Sequence, residues 1–266
     1  MRLHFEKYHG TGNDFIIIDD RARNFNLTRE QIEKLCHRRF GIGADGLLLL
    51  RESDGLDFEM IYYNSDGLPG SMCGNGGRCI VAFAYRLGIV QTKIRFLAAD
   101  GIHEASILST DPMQVLLQMG DVNQIETNSE FQFLNTGSPH VVKKVLSVDS
   151  VNVLEEGRKI RYNDRFKVNG TNVNFIEVRG NELFVRTYER GVEDETLSCG
   201  TGVTASALAA NIARLLPSDS NPTIVKTPGG TLKVHFTASG SGYSNIFLEG
   251  PASHVFTGSF EVPFLD

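Results

Sequence analysis

The segments Cys73-Gly74-Asn75-Gly76-Gly77-Arg78-Cys79-Ile80-Val81-Ala82-Phe83-Ala84 and Cys199-Gly200-Thr201-Gly202-Val203-Thr204-Ala205-Ser206-Ala207-Leu208 decide how this chain is read. Each opens on a Cys-Gly-x-Gly phrase and runs on into small and apolar residues that predict a buried helix. The phrase puts a thiol where a Gly-rich turn enters a helix. There it lies beside N–H groups that have no intrahelical acceptor, at the positive end of the helix dipole. That setting lowers a thiol pKa and can hold a carboxylate. Two such thiols, one in each half of the chain, point to two proton-transferring groups serving one substrate.

Laid over each other on the two cysteines, the halves read alike. In the first, Phe58–Tyr63 predicts a strand and Asn64-Ser65-Asp66-Gly67 a turn. The helix from Cys73 then runs to a stop at Leu87-Gly88, and Lys93–Ala98, Asp100-Gly101 and Ile102–Leu108 predict a hairpin. In the second, Glu182–Tyr188 is the strand, Glu189-Arg190-Gly191 the turn, and an Ala-rich helix from Cys199 ends before Pro217. A hairpin follows, Thr223–Lys226 and Thr231–Phe236, and Asn245–Leu248 matches Met113–Met119. A pattern repeat of this length fits duplicated domains rather than solenoid units.

Ahead of the repeat lie extended runs at Leu3–Tyr8 and Phe15–Asp19. A helix then starts at Thr28, where Thr28 and Gln31 form a capping box and Ile32, Leu35 and Cys36 an apolar face. The fold expected is α+β: two pseudo-symmetric domains, each a mostly antiparallel sheet around a central helix, with the active site in the cleft between them. The halves are 1–120 and 121–253, with the crossing near 120–127, where strand periodicity lapses. A last strand, His254–Val262 within about 254–266, can return to the first half, a choice the sequence leaves open.

Composition narrows the function classes. A chain of 266 residues with 41% hydrophobic and 22% charged residues can bury a core without staples. The net charge of −6 comes from interspersed acids, and no Lys/Arg cluster resembles a nucleic-acid surface. No apolar run is long enough to span a membrane, and the first residues lack a signal-peptide core, so a cytoplasmic protein is expected. Gly41-Ile42-Gly43-Ala44-Asp45-Gly46 matches the dinucleotide fingerprint but follows a helix and precedes the strand Leu47–Leu50, the reverse of what a pyrophosphate needs. No P-loop, HExxH helix or GxSxG elbow occurs.

Four cysteines, at 36, 73, 79 and 199, are too few and too unevenly spaced for a disulfide framework, and none has metal-site spacing. Cys36 and Cys79 read as small buried hydrophobes. Cys73 and Cys199 differ by their context: the glycines after each, Gly74 and Gly76, Gly200 and Gly202, clear space for a ligand at the backbone, which core packing does not require.

The chain resembles the diaminopimelate epimerase family over nearly its whole length. The resemblance is carried by His9-Gly10-Thr11-Gly12-Asn13-Asp14-Phe15, Gly41–Gly46, Asn64 with Asp66-Gly67, Cys73–Arg78, Gly137-Ser138-Pro139-His140, Asn172, Glu189-Arg190-Gly191 and Cys199–Gly202. It implies interconversion of LL- and meso-diaminopimelate, for lysine and peptidoglycan precursors, without a cofactor or metal, in a homodimer. It further implies that Cys73 and Cys199 are acid and base, and that Gly74, Asn75, Gly200 and Thr201 hold the reacting carboxylate. Asn13, Asn64, Asn172, Glu189 and Arg190 then grip the rest of the substrate, with the Arg190 fork suited to the distal carboxylate. His140 and Glu189 take the places that tune or orient the thiols. The chain departs from the family where Ser138-Pro139-His140 stands for Asn-Pro-His, and where Gly46 lacks the amide side chain of some members.

Rival readings are a two-cysteine proline racemase or hydroxyproline epimerase, and a non-catalytic binding protein of the same fold. The racemases carry His where this chain has Asn75. A phenazine-biosynthesis isomerase lacks the cysteine pair.

Overall fold

The computed structural model describes residues 2–240 and 242–261, so Val262 of the expected last strand, and everything beyond it, lies outside the described residues. In chain order the elements are β1 (Arg2–Gly10), β2 (Asn13–Asp19), α1 (Arg29–Cys36), β3 (Gly46–Arg51), β4 (Phe58–Asn64), α2 (Gly74–Arg86), β5 (Lys93–Ala98), β6 (Gly101–Thr110) and β7 (Met113–Gln118). They continue with β8 (Ile125–Thr127), β9 (Gln132–Asn135), β10 (Pro139–Lys144), α3 (Val153–Arg161), β11 (Asn172–Arg179), β12 (Glu182–Glu189) and β13 (Asp194–Thr196). The last are α4 (Gly200–Ile212), β14 (Thr223–Thr227), β15 (Gly230–Ser239), β16 (Gly242–Pro251) and β17 (Ser253–Glu261). The chain divides into two compact units, Met1–Leu117 with Pro251–Asp266, and Gln118–Gly250.

In the first unit β17 pairs antiparallel with β1, Arg2 opposite Glu261, so the last strand returns to the first. From β1 the pairings are β1–β2 antiparallel, β2–β3 parallel, β3–β4 antiparallel, β4–β5 parallel, then β5–β6 and β6–β7 antiparallel. The sheet is thus mostly antiparallel, and its two parallel pairs arise because α1 and α2 carry the chain back across it. In the second unit the same succession runs through β9–β10, β10–β11, β11–β12, β12–β14, β14–β15 and β15–β16. Here α3 and α4 make the crossovers.

Local chemistry explains the elements. Thr28 Oγ1 accepts from Gln31 N (3.4 Å) while Gln31 Oε1 accepts from Thr28 N (2.9 Å), the reciprocal cap that starts α1. In β3, Leu47 to Leu50 are all buried, the run of apolar residues that a strand covered on both faces requires. Residues Gly74–Ala84 of α2 are buried all round, and the helix packs on β1, β2, β3, β6 and β17. α4 is likewise buried and packs on β9, β10, β11, β12, β14 and β15.

Both helices end in the same way. Ile89 N bonds to Ala84 O (3.0 Å) and Gly88 N to Tyr85 O (2.9 Å), with Gly88 at φ 73°. In α4 the pairs are Leu215 N to Ala210 O and Arg214 N to Asn211 O, both 2.9 Å, with Arg214 at φ 52°. This is a Schellman motif in each case, once with glycine and once with arginine in the left-handed position. The elements from 128 to 181 carry no expectation from the repeat, and Ile125–Thr127, where strand periodicity lapses, is β8.

Candidate active site

In the first unit the chain leaves β4 at Asn64, turns at Gly67 and reaches Cys73, the N-cap of α2 in extended conformation (φ −115°, ψ 121°). Cys73 O accepts from Gly77 N at 2.7 Å, so the helix begins there and the N–H groups of its first turn point past the cysteine. The Cys73 thiol lies 3.6 Å from Asn13 Oδ1, which also accepts from Asn75 Nδ2 at 3.2 Å. Asn13 is held in this orientation because its Nδ2 donates to Asp45 Oδ2 (2.8 Å), an atom that can only accept.

Behind Asn13 stands an ion network. Arg38 spans Asp14 and Asp45 at 2.7 and 2.6 Å, and Lys7 pairs with Asp14 at 2.7 Å. Burial would raise the Asp14 carboxyl, but hydrogen bonds from Arg38 and Lys7 outweigh it and hold the group well below the usual carboxylate range. Asn64 ends β4 opposite Gly46, and its amide reaches Leu68 O within its own turn at 3.5 Å. At Gly46 a Cβ would come within 2.5 Å of the Tyr62 ring and 2.6 Å of Tyr63 O, so the missing side chain has a packing cause.

Arg78 is the first residue the sequence reading left without a role. It is fully buried in α2, donating to Gly74 O (3.2 Å), Asn75 Oδ1 (2.9 Å) and Pro251 O (3.4 Å). Burial lowers its pKa to about 10, which leaves it a cation at neutral pH, and its charge interacts with the Cys73 and Cys79 thiols. Burial pushes Cys36 and Cys79 up to about 12, so both stay protonated. A signal for Arg78 was present, an arginine among the small residues of a buried helix.

In the second unit Cys199 is the N-cap of α4 with nearly the same backbone (φ −116°, ψ 112°), and Val203 N bonds to its carbonyl at 2.8 Å. Thr201 Oγ1 sits 3.4 Å from Cys199 Sγ and 2.9 Å from His140 Nε2. His140 lies on β10, buried completely, and burial followed by the nearby Arg190 charge pushes its pKa down to about 3. It is therefore neutral at working pH.

Asn172 joins β11 to the turn after β12: its Nδ2 donates to Ser138 Oγ (3.0 Å) and Pro139 O (3.1 Å), while its Oδ1 accepts from Arg190 N (2.9 Å). Arg190 donates to Asn169 O at 2.8 Å, with Ser138 Oγ at 3.4 Å. Ser138, the departure from Asn-Pro-His, thus takes part in the cluster that holds Asn172 and Arg190. Glu189 accepts from Thr196 Oγ1 at 2.8 Å. The predicted residues fall into two groups: Asn13, Cys73 and Asn75 in one unit, and His140, Asn172, Arg190, Cys199 and Thr201 in the other.

The glycines need a correction. A Cβ on Gly202 would stand 2.4 Å from Asn174 Oδ1 and 3.3 Å from His140 Cε1. Packing of two polar side chains therefore requires this glycine, contrary to the expectation that only a ligand does. Asn174 is the second residue the sequence reading missed. It follows Asn172 by two on β11, so both lie on one face of that strand, and His140 on the neighbouring β10 is paired with Asn172.

Among the described residues, no group of three or more His, Cys, Asp and Glu side chains is placed to hold a metal ion. None of the described helices is long and apolar enough to cross a membrane.

Solved structures share the fold at low identity. A crystal structure of a phenazine biosynthesis protein of the PhzF family from Bacillus anthracis matches with TM-score 0.76 at 14% identity, covering 98% of this chain and 100% of that one. A hydroxyproline epimerase from Agrobacterium vitis matches with TM-score 0.71 at 14% identity, covering 97% and 92%. Curated relatives are much nearer in sequence. The diaminopimelate epimerase of Flavobacterium psychrophilum is 49% identical over 96% of this chain and 98% of the relative, and that of Chlorobaculum tepidum 46% over 94% and 98%. The family model for diaminopimelate epimerase matches residues 5–125 and 132–255, which hold both Cys-Gly-x-Gly helix starts and every residue of the two clusters. With two thiols at two matching helix starts and this match along both halves, the chain belongs to the diaminopimelate epimerase family.

Proposed function

We propose that the protein interconverts LL- and meso-diaminopimelate without a cofactor, with Cys73 and Cys199 as the two proton-transferring groups. The observation that carries this reading is the repeated placement of a cysteine at the N-cap of a buried helix, in a chain close to curated diaminopimelate epimerases along its full length. As an amino acid isomerase it belongs to lysine and peptidoglycan precursor synthesis, in the cytoplasm and as a homodimer.

Epimerisation takes a proton from one face of a carbon and returns one to the other. One thiolate and one thiol on opposite faces of the α-carbon meet that need, and the two titrate as a pair. The α-proton is a very weak acid, so the carbanion needs stabilisation. The N–H groups at both helix starts, from Gly74-Asn75 and Gly200-Thr201, supply it by holding the reacting carboxylate. Exclusion of water strengthens those dipoles. Asn13, Asn64, Asn172, Glu189 and Arg190 hold the remaining amine and carboxylate, the Arg190 fork taking the distal carboxylate. His140 and Glu189 orient the thiols. Each unit supplies one of the two thiols.

The test is to incubate the protein with LL-diaminopimelate in deuterium oxide. Formation of the meso isomer carrying deuterium at one α-carbon is the expected result. Binding with no exchange at the α-carbon would sink the reading in favour of a non-catalytic binding protein.

A further inference from the structure

We infer that Asn174 is a positioning residue that fixes the tautomer of His140 and thereby turns the Thr201 hydroxyl proton toward Cys199. The inference rests on the reading of Cys199 as one of the two reacting thiols.

The argument starts from an atom whose role is fixed. Asn174 Nδ2 lies 3.0 Å from the Val141 carbonyl, which can only accept, and Asn174 Oδ1 lies 2.9 Å from the Thr187 hydroxyl. Turning the amide over would set two carbonyl oxygens against each other, so Nδ2 faces Val141. The same Nδ2 lies 3.1 Å from His140 Nδ1. That ring nitrogen must accept, and in a neutral imidazole the other nitrogen, Nε2, then carries the hydrogen.

Nε2 is 2.9 Å from Thr201 Oγ1, so the threonine oxygen accepts from histidine and its own proton is left to point elsewhere. Cys199 Sγ, 3.4 Å away, is the acceptor it meets. The contact between Asn172 Nδ2 and His140 Nε2 is 3.5 Å, and both hydrogens of that amide are already directed to Ser138 Oγ and Pro139 O at 3.0 and 3.1 Å. It does not compete. The charged group acting on His140 is Arg190, which together with burial keeps the ring neutral, so that one nitrogen only is protonated.

The chain of donors therefore runs one way, from Asn174 through His140 and Thr201 to the sulfur. A hydroxyl that donates to sulfur favours the thiolate over the thiol. With the opposite tautomer the hydroxyl would donate to Nε2 and offer the sulfur only an oxygen lone pair. Gly202 fits the same account, because a side chain there would occupy the space of Asn174 Oδ1, 2.4 Å from the Cβ position.

Two readouts independent of activity test this. The first is the tautomer of His140 in the whole protein, from long-range proton–nitrogen NMR. The second is the titration of Cys199 followed by thiolate absorbance in a Cys73→Ser background, where Cys36 and Cys79, pushed up to about 12, stay silent. The inference expects Nε2–H in the parent protein. Asn174→Leu should populate Nδ1–H and raise the Cys199 titration by about one pH unit. With Cys73 intact it should lower kcat about tenfold while KM changes less than about twofold. Thr201→Val should give the same rise with the tautomer unchanged, and Thr201→Ser should restore the parent titration. Finding Nδ1–H in the parent, or an unmoved Cys199 titration in Thr201→Val, would overturn it. Should Asn174→Leu fail to fold, the parent spectrum and the two Thr201 variants decide alone. Should epimerisation itself not occur, the spectrum and the titrations still read the chain of donors, so the two failures are told apart.

Discussion

The start of α2 and the start of α4 share a cysteine N-cap, a backbone conformation and a Cys-Gly-x-Gly phrase, yet they are supported by different physics. In α2 the Gly74 carbonyl and the Asn75 side chain are both held by Arg78, a buried cation. At the corresponding place in α4 stands Thr204, whose hydroxyl donates to Gly200 O at 3.0 Å, and the phrase's third residue, Thr201, is held by the neutral ring of His140. Arg78 thus brings a full charge to the first phrase, and His140 an oriented dipole to the second. Charge acts on a thiolate over a longer range and through a low-dielectric interior, whereas a dipole chain acts only while each member keeps its orientation. At Cys73 a second influence opposes the first, since Asn13 Oδ1 accepts from the thiol and so favours the protonated form. The duplicated phrase has therefore diverged in what holds it, which on the proposed reading suits a reaction that needs one thiol protonated and one ionised.

The comparison breaks most severely if either thiol is dispensable. Cys73→Ala and Cys199→Ala are each expected to lower kcat/KM by at least about a thousandfold while circular dichroism and the melting curve stay near those of the parent. Substantial activity in either variant would remove the acid/base pair. Next in size is Arg78→Met, which takes the cation from Cys73. Its titration should rise by about one pH unit, with activity falling about tenfold at neutral pH, while the titration of Cys199 stays in place. If both thiols shift together, the two supports are not separate and the contrast between charge and dipoles fails.

Much of this was legible in the sequence, for physical reasons that differ by element. The capping box at Thr28, the Leu47–Leu50 run and the glycine stop of α2 are local signals, and each stands in the structure where its chemistry puts it. The family was legible because its motifs are dense in glycine, asparagine and cysteine, residues that report close approach and proton chemistry rather than packing. α3 was not. Its burial rests on Val153 and Gly157, too small an apolar stripe to stand out from a charged segment. Asn174 was missed because its partners, His140 and Val141 O, come from a distant stretch of chain, whereas Arg78 is held mainly within its own helix, by Gly74 O and Asn75 Oδ1. The role of Gly202 in α4 was misread because its nearest neighbour, Asn174, lies on β11, far away in the chain.

A smaller effect sharpens the contrast between the two phrases. Gly76→Ala would put its Cβ at ordinary contact, 3.5 Å from Cys73 Cβ and from the Phe15 ring, whereas Gly202→Ala would meet Asn174 Oδ1 at 2.4 Å. The first is expected to leave unfolding free energy unchanged or to raise it by up to about 1 kcal/mol, because alanine is the better helix former. The second should cost about 1–3 kcal/mol as Asn174 is displaced. Denaturant titrations of both variants read the difference directly, and equal costs would mean that Asn174 is not packed as described.

The smallest expected effect lies at the far ends of the same two helices. Gly88 (φ 73°) and Arg214 (φ 52°) fill the same left-handed position of the same Schellman motif, but only glycine takes it without steric cost. Nothing lies within 4 Å of a Cβ on Gly88, so Gly88→Ala isolates the backbone penalty and should destabilise by about 1 kcal/mol. Arg214→Gly runs the comparison in reverse. It removes a comparable strain, offset by the greater chain entropy that glycine brings to the unfolded state, and is expected to stabilise by less than about 1 kcal/mol. Neither position is near Cys73 or Cys199 in sequence or in its hydrogen bonds, so activity should be that of the parent in both. A loss of activity in either variant would mean that the way a helix ends is felt at the cysteine where it begins, and the two ends could no longer be treated as independent.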